Sequence, residues 1–254
     1  MSVWKEELKN QRNKFEDGCL RRLSEVVPAG CRVTILADRG FGDQKLFAFL
    51  SELGFDYVIR FRGNTQVTDA DGLIRPAAEW VGKGGRARKL RDARVTAKGQ
   101  WVGTVVCVHA KGMKEPWCLA TSLRDETTAT LVNYYSKRWT IEPQFRDTKD
   151  LQFGMGLSAT RIGDPMRRDR LLPISGFATA LLTLLGMVGE NLGMDHLLKS
   201  NTSTKRTHSL FRQGCMLYDL IPNMPQHRLL PLMRRFNEAV STAAEFGAAF
   251  AMAK

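Results

Sequence analysis

Tyr134-Tyr135-Ser136-Lys137-Arg138-Trp139-Thr140-Ile141-Glu142-Pro143-Gln144-Phe145-Arg146-Asp147-Thr148-Lys149 is the stretch around which the chain is organised. Within it, Tyr135, Arg138, Glu142 and Lys149 stand at offsets of zero, three, seven and fourteen. At about 100° per residue they stay within roughly 60° of one helical face. A core-facing helix keeps such a stripe apolar. This one carries a phenol, a guanidinium, a carboxylate and an ammonium. Three of the four donate hydrogen bonds to phosphate oxygens, and the carboxylate is a hard ligand for a divalent cation. Pro143 forbids an uninterrupted helix, because it lacks an N–H and clashes with the preceding turn. The stretch is therefore expected to break, with Tyr135 and Arg138 closing one helix and Thr140 capping the next. Pro143 then falls in the first turn and Glu142 at the positive helix end. The same spacing also fits a solvated charged face beside a buried Trp139 and Phe145.

A second informative stretch lies upstream. Cys31 to Ala37 is short, apolar and β-branched, a buried-strand pattern. It delivers Asp38-Arg39-Gly40-Phe41-Gly42-Asp43. An aspartate at the C-terminal end of a strand is where α/β folds place ligand groups, and the glycines let a ligand approach the backbone. An ordinary helix cap is the other reading, and Asp43 fits it well. A helix and a strand, Tyr57 to Arg62, follow. Arg60 and Arg62 share one face of that strand, as a paired DNA contact or as surface arginines at a sheet edge.

The Y-two-R-three-E-six-K spacing and the segment Val33 to Gly63 together resemble the DDE transposases of bacterial insertion sequences, in the subgroup named for its Y-R-E-K motif. The resemblance implies an α/β fold: a partial ribonuclease H-like core with a β-rich insertion and a helical C-terminal region. It implies Asp38 and Glu142 as catalytic carboxylates and metal ligands, with Mg²⁺ as cofactor and Mn²⁺ able to substitute. It implies phosphate or DNA contacts at Tyr135, Arg138, Lys149, Arg60 and Arg62. Trp117, in Trp117-Cys118-Leu119-Ala120-Thr121-Ser122, matches the tryptophan that relatives stack on a displaced base; a core tryptophan anchoring the strand is the other reading. The implied partners are double-stranded DNA, at transposon ends and target, and a second copy or a full-length transposase. The implied location is the bacterial cytoplasm, at the nucleoid.

Composition agrees with a nucleic-acid partner. The 254 residues carry 38 Lys and Arg against 26 Asp and Glu, a net charge of +12, which favours a polyanion over a membrane. Five scattered cysteines without a CxxC read as reduced intracellular thiols, not a disulfide framework or zinc site. The polar start of the chain is unlike a signal peptide. Leu171 to Gly189 is uncharged, but its Gly, Pro and hydroxyl residues point to a buried core helix, not a membrane span. The four histidines share no ligand spacing.

The remaining elements follow from periodicity. Val3 to Val27 is expected as an amphipathic helix with Leu8, Phe15, Leu20, Leu23 and Val26 inward. Strand-like runs at 93–97, 101–108 and 117–121 are separated by Gly-containing turns. The basic run Lys83 to Arg91 is not a phosphate-binding P-loop and reads as phosphate contact or solvated loop. Asp150 to Leu157 is loop-like, 199–212 is polar, and a last helix is expected around 229–240. The expected divisions are 1–62, the second half of the sheet; 63–116, the β-rich insertion; 117–195, the return strand and glutamate helices; and 196–254, a helical end.

The resemblance also exposes a gap. Such a site needs a first aspartate on an opening strand, and upstream of Asp38 the chain has only Asp17, in a helix-like segment too close by. The expectation is a C-terminal portion of a transposase, poorly active or inactive, with a sheet edge left unpaired. The alternative is a non-catalytic product that binds DNA or its full-length partner and inhibits transposition.

Overall fold

The computed structural model describes residues 9, 11–151, 154–200, 202–203 and 205–251, with side chains to residue 242. Asn13–Thr140 form one compact unit, and the helices from Ile141 onward make up most of a second. The expected inward position Leu8 and the start of the first helix lie outside the described residues.

The first unit is a seven-stranded mixed sheet with helices. Helix α1 (Arg12–Val26) precedes β1 (Thr34–Ala37), α2 (Gln44–Glu52) and β2 (Asp56–Phe61). The strands β3 (Gln66–Thr68), β4 (Ile74–Pro76), β5 (Arg88–Val95), β6 (Gln100–Val108) and β7 (Trp117–Thr121) follow, and α3 (Thr128–Ser136) closes the unit. The sheet order is β1-β2-β7-β6-β5-β3-β4. Only β1 and β2 pair in parallel, joined by α2 as a crossover. The strands between 63 and 116 continue the same sheet.

Alternation along β2 sorts its side chains to two faces. Tyr57, Ile59 and Phe61 join Phe47, Leu50 and Trp80 in the larger core, while Val58 joins Val106, Leu119, Leu131 and Tyr135 under α3. β1 differs from the sequence expectation. It is four residues long and half-buried throughout, because among the described residues it has a partner on one side only and forms a sheet edge. Helix α1 departs too: Phe15 and Leu20 are half-buried, but Leu23 and Val26 are exposed. The basic run 83–91 is not one loop. Its second half is β5, where the Arg88 guanidinium lies 5.0 Å over the Trp80 ring and Lys89 donates to the carbonyls of Arg124 and Glu126.

The second unit is helical: α4 (Ile141–Lys149), α5 (Pro165–Asn191), α6 (Leu210–Leu220) and α7 (Gln226–Ala251). Helix α6 starts at the end of the stretch 199–212 that reads as polar and runs past it, and α7 is longer than its expected core. In α5 the expected burial holds at Ser175 and near the end, at Leu185, Gly186, Val188 and Gly189. Ile174, Phe177 and Leu181 are exposed. By length and composition, α5 is able to cross a membrane. Its contact with α6 runs through glycines, since a Cβ at Gly186 would strike the Leu210 carbonyl and one at Gly214 the Leu182 carbonyl. Glu190, near the end of α5, is held below the usual carboxylate range by the Arg206 guanidinium, with Gln213 donating to the same carboxylate.

Gly214→Ala is expected to destabilise the helical unit by about 1–3 kcal/mol, because the added methyl meets backbone and not a flexible side chain. Chemical denaturation followed by circular dichroism measures this, with the exposed Gly176→Ala, expected to stabilise by about 0.5–1 kcal/mol, as the comparison.

Candidate active site

The β1–β2–β7 register assembles one end of the sheet. Ala37 pairs with Ile59, so Asp38 follows beside Arg60, and Arg60 pairs with Leu119 two residues past Trp117. Asp38 is half-buried, and its Oδ1 accepts from the Gly40 N–H at 2.8 Å, capping the short 3₁₀ turn Arg39–Phe41. Asp43 caps α2 by accepting from Lys45 N. The nearby glycines serve the chain itself. A Cβ at Gly42 would sit 3.0 Å from the Arg60 carbonyl oxygen and the Phe61 Cβ. The close approach expected for a ligand at Gly42 is occupied by β2.

Arg60 is not an edge residue. Its strand is flanked by β1 and β7, and its side chain is 18 % exposed. Its Nη2 donates to Glu115 Oε2 at 2.9 Å and to the Pro116 carbonyl, while Arg39 donates to the same carboxylate oxygen at 2.8 Å. The Arg60 Nε is buried without a hydrogen-bond partner. Arg62 lies just past β2 and is exposed. Glu115, a carboxylate outside every motif read in the sequence, therefore ties two arginines at this end of the sheet.

Tyr135 and Trp117 pack together, ring centroids 4.9 Å apart and edge-on. Tyr135 is buried and Trp117 half-buried at the margin of the α3-side core. The helix break falls where expected: α3 ends at Ser136, a 3₁₀ turn covers Lys137–Thr140, and α4 starts at Ile141 with Pro143 in its first turn. Thr140 precedes α4, but its hydroxyl donates back to the Lys137 carbonyl. The Arg138 guanidinium lies 5.9 Å from the Tyr135 ring and 4.6 Å from that of Trp139. Trp139 and Phe145 are half exposed, at 50 % and 51 %, so the burial that the alternative expected does not hold, although Glu142, Arg146 and Lys149 are exposed as its solvated charged face requires.

Asp38, Arg60, Arg62, Trp117, Tyr135 and Arg138 belong to the first unit. Glu142 and Lys149 belong to the second. Glu142 is exposed in the first turn of α4; Lys149 is exposed in its last, with Nζ 5.2 Å over the Phe145 ring. A feature sequence reasoning missed lies in the helical unit. A cavity of about 370 Å³ is lined by Arg146, Asp147, His208, Ser209 and Arg212, among others. Ser209 caps α6 and donates to Asp147. The paired Arg146 and Arg212 were the available signal, but their sequence separation hid it.

A family profile described as the Transposase DDE domain matches residues 9–164. The chain belongs to the DDE transposase family, whose members act on DNA. A search of curated proteins returned no match. DDE transposase domains generally use divalent metal ions, so the donor set can be tested for fit. Among the described residues, no three His, Cys, Asp or Glu side chains form a group able to hold a metal. One Asp38 oxygen already caps a turn, and Glu115 is engaged by Arg39 and Arg60. The described residues do not by themselves make a metal site.

Asp38→Ala is expected to cost about 1 kcal/mol through loss of the cap, while Asp38→Asn, which keeps the accepting oxygen, stays within about 0.5 kcal/mol of the parent. Thermal unfolding of the three proteins separates this structural role from any chemical one.

Proposed function

We propose that this chain is part of an insertion-sequence transposase of the Y-R-E-K subgroup, which cuts and joins DNA ends at phosphodiester bonds. The observation that carries the proposal is Asp38 at the end of a parallel strand, in a chain that also holds the full Tyr135, Arg138, Glu142 and Lys149 spacing. The parallel β1–β2 pair with its crossover helix supports a ribonuclease H-like core. The divisions 1–62, 63–116, 117–195 and 196–254 remain our proposed organisation, with β3 to β6 inside the second.

In this reading Asp38 and Glu142 are the carboxylates directed at a divalent cation, Mg²⁺ or Mn²⁺. Such an ion, when bound, supplies charge stabilisation at the phosphorus under attack. The chain's own contribution is positioning. Arg138, braced by two aromatic rings, offers a planar fork to phosphate, and Lys149 offers a point charge. Tyr135, expected as a phosphate contact, is instead buried, and its ring packs against Trp117 and lies under the Arg138 guanidinium. Arg62, exposed just past β2, is the proposed DNA contact there, while Arg60 reaches DNA only if it leaves Glu115, and Trp117 is the aromatic beside them. DNA is the proposed partner, with a second copy or a full-length transposase joining it at the nucleoid. Helix α5 is assigned to protein packing, supported by its glycine contacts with α6.

Asp38 and Glu142 are two of the three carboxylates that such a site uses. Asp17, the only aspartate before Asp38, sits inside α1 and not at a strand end. We therefore assign weak or no cleavage to this chain acting alone. The non-catalytic alternative is a chain that binds DNA or its full-length partner and inhibits transposition.

The test is supercoiled plasmid incubated with the purified chain and Mg²⁺ or Mn²⁺, beside Asp38→Asn and Glu142→Gln. The expected result is a salt-sensitive mobility shift for all three proteins, with nicking by the parent no faster than by the variants. Nicking that vanishes in both variants would overturn the assigned loss of activity. Absence of any shift at low salt would overturn the transposase reading itself.

A further inference from the structure

Two buried thiols that play no part in the proposed chemistry face each other across the sheet. Cys107 on β6 is the direct partner of Cys118 on β7. Neither exposes any surface, and both are free. Directly opposed residues of an antiparallel pair hold their Cα atoms about 4.5–5.5 Å apart. A disulfide spans Cα separations of about 4.4–6.8 Å. Both residues belong to the core that contains Phe61 and Trp80, so they project to the same face. We propose that Cys107 and Cys118 form a redox modification site, which closes into an inter-strand disulfide when a low-molecular-weight disulfide reaches them.

The two thiols are not equivalent. The hydrogen bond between them, with Cys107 as donor, raises Cys107 and lowers Cys118, and the Arg60 guanidinium favours the Cys118 thiolate further. Cys118 is therefore the attacking sulfur. Its thiolate displaces one half of the small disulfide, forming a mixed disulfide and releasing one small thiolate. Cys107 then attacks the Cys118 sulfur and releases the other. The protein loses two electrons and two protons, and the oxidant becomes two small thiols. Because both sulfurs are buried, the rate follows local opening of β6 from β7.

The bond would have a local consequence. It closes residues 108–117 into a loop that includes Glu115, the carboxylate holding Arg39 and Arg60, and ends at Trp117. Oxidation thereby restrains the segment that braces this end of the sheet. The inference rests on strand register and holds whether or not the chain cuts DNA.

The experiment treats the folded full chain with oxidised glutathione and maps the peptides without reduction. A companion variant carries serine at Cys19, Cys31 and Cys215, and unmutated protein is mapped in parallel in case that variant folds poorly. The expected product joins Cys107 to Cys118, is lighter by about 2 Da, retains no glutathione, and reverts with reductant. Amide exchange across 110–116 should slow in the oxidised form. In Cys107→Val the reaction should stop at glutathione on Cys118. The proposal is overturned if Cys107 and Cys118 both remain alkylatable in denaturant after exposed Cys19 and Cys31 have been fully oxidised. It is equally overturned if Cys107, and not Cys118, retains the adduct when its partner is replaced.

Discussion

The parallel pairing of β1 with β2 is the constraint on which the Asp38 end of the sheet depends. A parallel pair needs a crossover, here α2, and it brings the C-terminal ends of both strands to the same side. Asp38 leaves β1 there and Arg60 lies next to it on β2. The antiparallel return of β7 then starts Trp117 at the same end. A slip of one residue in either register would turn Arg60 into the larger core and Phe61 out of it. Burial of Tyr57, Ile59 and Phe61 on one face and Val58 on the other holds the register.

Charge at this end is balanced locally, which shapes what it can do. Glu115 bridges Arg39 and Arg60 in a partly exposed cluster, where such pairs contribute little stability but fix side-chain direction. Asp38 is held by a backbone N–H and not by a cation, so its carboxylate is oriented without being neutralised. Arg138 is half-buried and braced by two aromatic rings. These arrangements position groups at modest energetic cost. The helical unit relies on a different device: glycines in α5 and α6 let two backbones approach, leaving a strip of α5 apolar and exposed.

Much of this was legible in the sequence because it depends on local rules. The helix break before Glu142 followed from Pro143, and the strands at 101–108 and 117–121 followed from β-branched runs bounded by turns. Asp43 was readable as a cap. What escaped depends on distant partners. The half-burial of β1 reflects its edge position, which residue type does not encode. Trp139 and Phe145 are aromatic yet half exposed, contrary to the usual preference. Helix α6 was hidden because its polar lead-in, 199–209, merges with its first turn. Glu115 and the Cys107–Cys118 pair become visible only when the strand register is known.

The central proposal is that the end of the sheet where Asp38 leaves β1 meets DNA. Fluorescence anisotropy of a labelled duplex over a range of salt concentrations tests it most directly, measured for the parent and for Arg62→Gln at the exposed position just past β2. The account predicts weaker binding and a shallower salt dependence for the variant. Affinity and salt slope equal to the parent's would contradict it.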